Sequence, residues 1–337
     1  MRLLSVLVST LGHRHGGNKE GGYRGTLYFL AWGITLAHRL VSKPPRHFHA
    51  QFATEGATVA MAASALLGRT FSFEVHAPYT AYRRSGLLRS KLRRALFVAP
   101  VSRHMVDRIT DIAGEAVRDR AHVIRCGIDP DPSSRPPRLP FAPENDTVRI
   151  LSVGSLIELK GHAVLIRACR LLADKGLSID CRIVGDGVLR ESLKEIIAEL
   201  GLGGQVTLQG FVAQDGLRKM YLDCDVFVLA CAVGSDGDRD GIPVVLMEAM
   251  SFAKPVISTP VGGIAELIEH ENNGLLIPPR EPEALAESIL WLASRPETAK
   301  ALGDAARSTV SEGEFNLSSS TKSLADLIAR YTHLTLR

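Results

Sequence analysis

Short apolar runs take turns with longer stretches in which apolar positions recur three and four residues apart. Runs of about four to eight apolar residues between turn signals read as buried strands, and the 3.6-residue period reads as amphipathic helix. In the first half, residues 47–52, 70–76, 96–101 and 122–126 read as strands, with helices at 57–67, 87–95 and 103–112. In the second half the strands are 148–153, 180–184, 206–209, 226–230, 255–258 and 274–277. The helices there are 162–175, 189–200, 215–222, 244–252, 264–270, 282–295 and 297–310. Strands alternating with helices predict an α/β fold of doubly wound parallel sheets. Between the halves, residues 129–143 hold six prolines in fifteen positions and sustain neither a helix nor a central strand. The expected domains are 1–140 and 146–337, and 337 residues suffice for two cores.

Composition agrees with a soluble globular chain, 45% hydrophobic and 23% charged. Cys126, Cys169, Cys181, Cys224 and Cys231 are scattered without a CxxC pair, which disfavours a zinc site or disulfide framework and fits a reducing cytosol. The apolar stretch 26–37 is shorter than the roughly 20 residues of a membrane span. Residues 3–11 lack a cleavage pattern, so no signal peptide is expected. The net charge of +4 hides an asymmetry: residues 1–148 hold 21 Lys and Arg against 11 Asp and Glu, and the rest is acidic.

Candidate chemistry gathers at strand ends, where open α/β sheets bind ligands. Asp240 and Glu248 stand with seven residues between them, across the start of the 244–252 helix. Two carboxylates there suit a hydroxyl-rich ligand, with Gly241 allowing close backbone approach; a solvated loop acid and a surface acid would look the same. Ser152-Val-Gly-Ser-Leu-Ile-Glu-Leu-Lys-Gly161 reads as strand, turn and helix start, with Lys160 placed toward an anion at the helix N-terminus. Ile183-Val-Gly-Asp-Gly-Val-Leu-Arg190 and Leu208-Gln-Gly-Phe-Val212 are further glycine turns, which ordinary αβ connections also show. The first of them lacks the dinucleotide G-x-G-x-x-G spacing, which disfavours a dehydrogenase. Thr259-Pro-Val-Gly-Gly-Ile-Ala-Glu-Leu-Ile268 puts Gly262 and Gly263 before a helix, where free amides make an anion site. Glu266 also suits a first helical turn for structural reasons alone. His76 closes the strand in Ser72-Phe-Glu-Val-His-Ala-Pro78. Arg83-Arg-Ser-Gly-Leu-Leu-Arg-Ser-Lys-Leu-Arg-Arg94 packs six cations around Leu87, Leu88 and Leu92. It suits either an anionic membrane surface or a solvated basic face. Nucleic acid is disfavoured because no aromatics interleave with the cations.

Asp236-Gly-Asp-Arg-Asp-Gly-Ile-Pro-Val-Val-Leu-Met-Glu-Ala-Met250 resembles the E-x7-E signature of retaining GT-B glycosyltransferases of family 4, in the bacterial exopolysaccharide and colanic-acid branch. Asp240 stands where that family usually has Glu. The resemblance runs from about His47 to the end and is densest between Ser152 and Pro278. It implies two Rossmann-like domains facing a cleft, with the last helix crossing back. Too few residues precede His47 for a complete first domain, so a shortened N-terminal domain is expected. His49-Ala-Gln-Phe-Ala-Thr-Glu-Gly-Ala-Thr-Val59 resembles the family's acceptor-side turn.

By that resemblance the protein transfers a sugar, with retention, from a nucleotide-sugar donor to a glycan or lipid-pyrophosphate acceptor in exopolysaccharide or envelope biosynthesis. Gly154, Ser155 and Lys160 line the donor diphosphate, although the family has Arg at the position of Ser155. Gly185 lies beside the nucleotide, the backbone of Gly210 and Phe211 meets the base, and Gly241, Ile242 and Gly263 line the donor side. Asp240 holds the sugar hydroxyls, Glu248 the ribose, and His76 the transferred sugar. Asp236-Gly-Asp238 only looks like a metal motif, and metal independence, with no cofactor, is expected. The expected location is cytoplasmic, peripheral at the inner membrane face. A degenerate nucleotide-sugar-binding protein and a GT-B sugar-nucleotide epimerase remain as alternatives.

Overall fold

Residues 23–76, 87–130, 139–141 and 147–334 are described by the computed structural model, in two units. One is Met1–Arg125 with Thr321–Arg337, the other Cys126–Ser320. Residues 3–11, Ala77 and Pro78, Arg83 and Arg84, and most of the proline stretch lie outside the described residues. No described helix is long and apolar enough to cross a membrane.

The first unit contains α1 (Tyr23–Leu40), β1 (His47–Ala50), α2 (Glu55–Leu67), β2 (Thr70–Val75), α3 (Leu88–Arg94), β3 (Val98–Pro100) and α4 (Arg103–Ala113). Its strands pair in parallel in the order β1-β2-β3. Residues 122–126, read as a strand, form none: the His122 and Ile124 amides donate to Val98 and Pro100, but only Ala121 bridges Val98. A three-residue β3 gives the pairing no length to extend along. The apolar stripe expected among the cations is not a surface feature, because Leu87, Leu88 and Leu92 are buried in this unit's core. Lys91 turns inward as well and donates to the carbonyls of Ala53 and Thr54 at 2.6 and 2.8 Å.

The second unit runs β4 (Thr147–Val153), α5 (His162–Asp174), β5 (Ser178–Val184), α6 (Arg190–Glu199), β6 (Val206–Gly210), α7 (Gln214–Asp223), β7 (Val226–Leu229), α8 (Val244–Ser251), β8 (Val256–Ser258), β9 (Leu275–Leu276), α9 (Pro282–Ala293) and α10 (Pro296–Glu312). The six strands are parallel in the order β6-β5-β4-β7-β8-β9. Ile150 and Leu151, adjacent in β4, enter separate cores on opposite faces, as the two-residue strand period requires. That two-sided burial explains why these strands read as unbroken apolar runs. The winding reverses between β4 and β7, and the carboxyl side of such a reversal is where doubly wound sheets hold ligands.

The helix expected over 264–270 shrinks to one 3-10 turn, Ile264–Glu266. The Asn273 side chain accepts from Glu269 N at 2.8 Å and donates to Leu267 O at 3.1 Å, taking backbone groups that a helix would have used. The helices read from periodicity end at residue 310, whereas the last helix of the structure is α11 (Leu317–Leu334). Its Leu324, Leu327, Ile328 and Tyr331 pack with Phe97, Ala99 and Ile124 of the first unit, to which residues from Thr321 onward belong.

Candidate functional site

The chain leaves β4 through Gly154 and Ser155, makes one 3-10 turn at Glu158–Lys160, and enters α5. The Gly154 amide donates to Val184 O at 2.9 Å, and the Gly185 amide donates to Gly210 O at 2.8 Å. The turns after β4, β5 and β6 are thus fastened side by side along one sheet edge, with the Phe211 side chain 88% exposed beyond them. Gly161 has φ +67°, and a Cβ there would lie 1.8 Å from Ala230 O at the end of β7. Only glycine lets the β4 loop rest against β7 in this way. Beneath the turn, buried His162 approaches Ser152 Oγ at 3.3 Å through Nδ1. Burial, opposed by hydrogen bonds to the backbone of Gly154 and Ser155, lowers its pKa to about 4.

That contact brings Lys160 to Asp240. The Lys160 Nζ bonds directly to Asp240 Oδ2, and both side chains are largely enclosed, at 16% and 17% exposed. A third loop closes on the pair: Gly262 has φ +65°, a Cβ there would meet Asp240 O at 1.9 Å, and Gly263 N donates to Gly241 O at 3.0 Å. The Gly263 amide is therefore spent inside the protein rather than offered to an anion, and a three-residue 3-10 turn follows where a helix was expected. Ile242 is buried behind this loop. Arg280 reaches from beyond β9 to Glu158 at 2.8 Å and to Val233 O at 2.6 Å, tying the Lys160 turn to the loop after β7. Asp236 and Asp238 accept the amides of Asp238 and Arg239 in their own loop.

Glu248 lies one turn into α8, and its Oε2 accepts the Tyr221 hydroxyl at 2.9 Å. Tyr221 is 2% exposed and stacked on Phe252 with centroids 5.2 Å apart. Burial and the facing Glu248 carboxylate push the phenol pKa well up, so it remains the donor. Glu248 is thereby fixed at the same sheet edge with one oxygen already committed.

In the first unit His76 follows β2, with its ring 4.8 Å from that of Phe52. Its Nε2 lies 3.0 Å from Glu74 Oε2, and the other oxygen of Glu74 is 3.3 Å from His49 Nε2. Burial pushes the Glu74 pKa up, but hydrogen bonds and charge from His49 and His76 outweigh it and bring it to about 2.

Comparison with known proteins fits this geometry. The family profile of the glycosyl transferases group 1 matches residues 140–309, half of the chain and nearly all of the second unit. The chain belongs to that family. Amylovoran biosynthesis glycosyltransferase AmsK of Erwinia amylovora is 37% identical over 231 residues, covering 68% of this chain and 55% of AmsK. WcaL of Escherichia coli strain K12, a proposed colanic acid biosynthesis glycosyltransferase, is 37% identical over 198 residues, covering 58% of this chain and 47% of WcaL. The chain thus spans about half the length of the curated relatives it matches. Among solved structures, HepE of Anabaena in complex with UDP superposes with a TM-score of 0.73 at 20% identity, covering 88% of this chain and 82% of HepE. Sucrose-phosphate synthase of Thermosynechococcus elongatus reaches 0.77 at 19% identity, covering 94% and 84%. These likenesses show the GT-B fold.

In this group 1 glycosyltransferase the residues singled out in the second half fall along one edge of one sheet. Lys160 and Asp240 meet directly, and Gly154, Gly185 and Gly210 adjoin through backbone hydrogen bonds. Ser155, at the turn after β4, is exposed. The sequence reading missed Tyr221, Glu158 and Arg280. Tyr221 carried a signal, being an aromatic residue in a helix that is otherwise mostly polar.

Proposed function

We propose that this chain transfers a glycosyl group, with retention of configuration, from a nucleotide-sugar to a glycan or lipid-pyrophosphate-linked acceptor in exopolysaccharide or envelope biosynthesis. The observation that carries the reading is the Lys160–Asp240 contact at the β4/β7 reversal, with Glu248 fixed on the same edge. A cation beside two carboxylates fits a ligand with an anionic diphosphate at one end and hydroxyls on both sides of it. The names of AmsK and WcaL support a polysaccharide product, and the UDP bound to HepE supports a nucleotide donor.

In the proposed reaction the bond from the anomeric carbon to the diphosphate oxygen breaks while the acceptor oxygen bonds to that carbon on the same face. The departing phosphate oxygen takes the acceptor proton. Lys160 swings its charge from Asp240 to the diphosphate, stabilising what develops on the leaving group. Asp240, released, accepts hydrogen bonds from the sugar, Glu248 takes the ribose, and His76 takes the transferred sugar. The reaction needs no metal. The chain works in the cytoplasm, and the exposed cations Arg89, Arg93 and Arg94 draw it to anionic lipid by charge alone. Incubation with UDP- and GDP-sugars and lipid-linked acceptors, with and without chelator, tests the reading by NMR of the product's anomeric centre. Retained configuration in chelator is expected. An inverted product or a strict Mg²⁺ requirement contradicts it.

The exposed Ser155 favours one rival, a protein that binds the donor without turning it over, since a hydroxyl does not replace a bidentate guanidinium. Donor binding with no product from any acceptor would establish that rival.

A further inference from the structure

The first unit exposes a row of large apolar side chains that its own core does not use. Leu30, Gly33 and Ala37 are the buried stripe of α1, and the helix is seated on α2 at Gly33, where a Cβ would lie 2.5 Å from Ala62 Cβ and 2.9 Å from Val59 O. That contact fixes the rotation of α1. At about 100° per residue, Tyr28, Trp32, Thr35 and Arg39 fall on the side away from α2, with Leu27 and Ile34 on its flank. Leu27, Tyr28, Trp32 and Ile34 are 47%, 57%, 55% and 44% exposed, and the Tyr28 and Trp32 rings meet edge to face with centroids 6.1 Å apart. Single exposed apolar residues are ordinary. Several within about two turns of one fixed helix make a patch, and such patches mark binding surfaces.

The charges beside the patch select what it meets. Residues 21–54 contain no Asp or Glu, and Arg39, Lys43 and Arg46, all exposed, follow the apolar row at its carboxyl end. A second copy of this chain seated here through a two-fold contact would bring like charges together. An anionic bilayer offers the complement: acyl chains for the apolar row, an interface where the amphipathic rings of Trp and Tyr sit, and headgroup phosphates for the cations. We propose that the outward face of α1 is a membrane-docking surface, seated in the headgroup layer of an anionic bilayer. Leu27, Tyr28, Trp32 and Ile34 take the acyl side, and Arg39, Lys43 and Arg46 take headgroup phosphates. The opposite stripe stays on α2, so the helix lies in the interface and does not cross it. α3 does not supply this contact, since Leu87, Leu88 and Leu92 are buried and its exposed cations act by charge alone. α1 adds the apolar depth. The docking goes beyond the transfer reading and stands on the first unit by itself.

Trp32 is its own probe, because the sequence has one other tryptophan, Trp291. In the full chain carrying Trp291→Phe, vesicles of phosphatidylcholine with phosphatidylglycerol are expected to move the Trp32 emission to shorter wavelength, and brominated acyl chains to quench it. Vesicles of phosphatidylcholine alone are expected to bind at least about tenfold more weakly. Tyr28→Ser with Trp32→Ser, in the otherwise unchanged chain, is expected to lower affinity for the anionic vesicles at least about tenfold in cosedimentation. Far-UV circular dichroism and the urea midpoint are expected to hold in that variant, because both side chains are exposed. Vesicle binding with Trp32 emission unshifted and unquenched means that charge alone holds the protein, and overturns the proposal. So does a folded chain that binds no vesicles. A dimer in sedimentation velocity that the double substitution dissolves, with vesicles left unbound, means that this face joins copies of the chain and overturns it as well. Docking by a chain that transfers no sugar overturns the transfer reading alone. Transfer to a water-soluble acceptor by a chain that ignores vesicles overturns the docking alone.

Discussion

Gly161→Ala is the sharpest probe of how the donor edge is built. Gly161 and Gly201 share almost the same backbone, with φ +67° and +64°. A methyl at Gly201 meets nothing within 4 Å, whereas at Gly161 it lands 1.8 Å from Ala230 O and 2.6 Å from Ala230 C. Both substitutions bear the left-handed penalty, on the order of 1 kcal/mol. Only Gly161→Ala adds an overlap with backbone, which a rotamer change cannot relieve. The start of α5 and the end of β7 must part by more than an ångström, and such overpacking costs roughly 1–3 kcal/mol more. The difference between the two variants is thus about 2 kcal/mol, or roughly 4–8 °C in Tm for a unit of this size. The same displacement parts Lys160 from Asp240, so donor affinity is expected to fall at least about tenfold in Gly161→Ala and to hold in Gly201→Ala. Urea unfolding gives the stability difference, and calorimetric titration with a UDP-sugar gives the affinity. Equal stability losses with unchanged affinity in both variants would refute the claim that the Gly161 contact sets the site.

Other consequences are as specific. Tyr221→Phe removes the hydrogen bond to Glu248 Oε2 and is expected to cost about 1.5–3 kcal/mol and to loosen donor binding, read by urea midpoints and calorimetry. Lys160→Met leaves Asp240 facing an apolar side chain in a largely enclosed site and is expected to cost about 2 kcal/mol, while adding Asp240→Asn returns part of it, a coupling that a double-mutant cycle measures. Between pH 6.5 and about 4 the unfolded chain binds a proton that buried His162 refuses, so stability falls as the pH drops through that window, by roughly 3 kcal/mol at full extent. His162→Leu should flatten that part of the pH–stability curve, measured by denaturant midpoints across the window.

The second unit was largely legible because its strands are buried on both faces and appear as apolar runs between glycine turns. The 264–270 segment misled because Ile264, Leu267 and Ile268 have helical spacing, while the side chain that stops the helix, Asn273, acts from outside the pattern. The 122–126 run is apolar enough for a strand but has only three residues of β3 to pair with. α11 was legible in principle, since Leu324, Leu327, Ile328 and Tyr331 repeat at three and four, but its serine-rich first turns hid the start. Among the cations, spacing alone does not reveal that the leucines face inward. The site itself was legible as a set of motifs and not as a geometry. Lys160 and Asp240 are 80 positions apart, Tyr221 and Glu248 27, and His49 and Glu74 25. Such pairings arise from sheet order, which local patterns do not carry.

Calorimetric titration of the full chain with UDP- and GDP-sugars, beside Glu248→Ala, tests the central claim that the β4/β7 edge is a nucleotide-sugar site. Saturable binding of one nucleotide class that disappears in Glu248→Ala is the predicted result. Binding that survives the substitution, or none at all by a folded wild type, would contradict it.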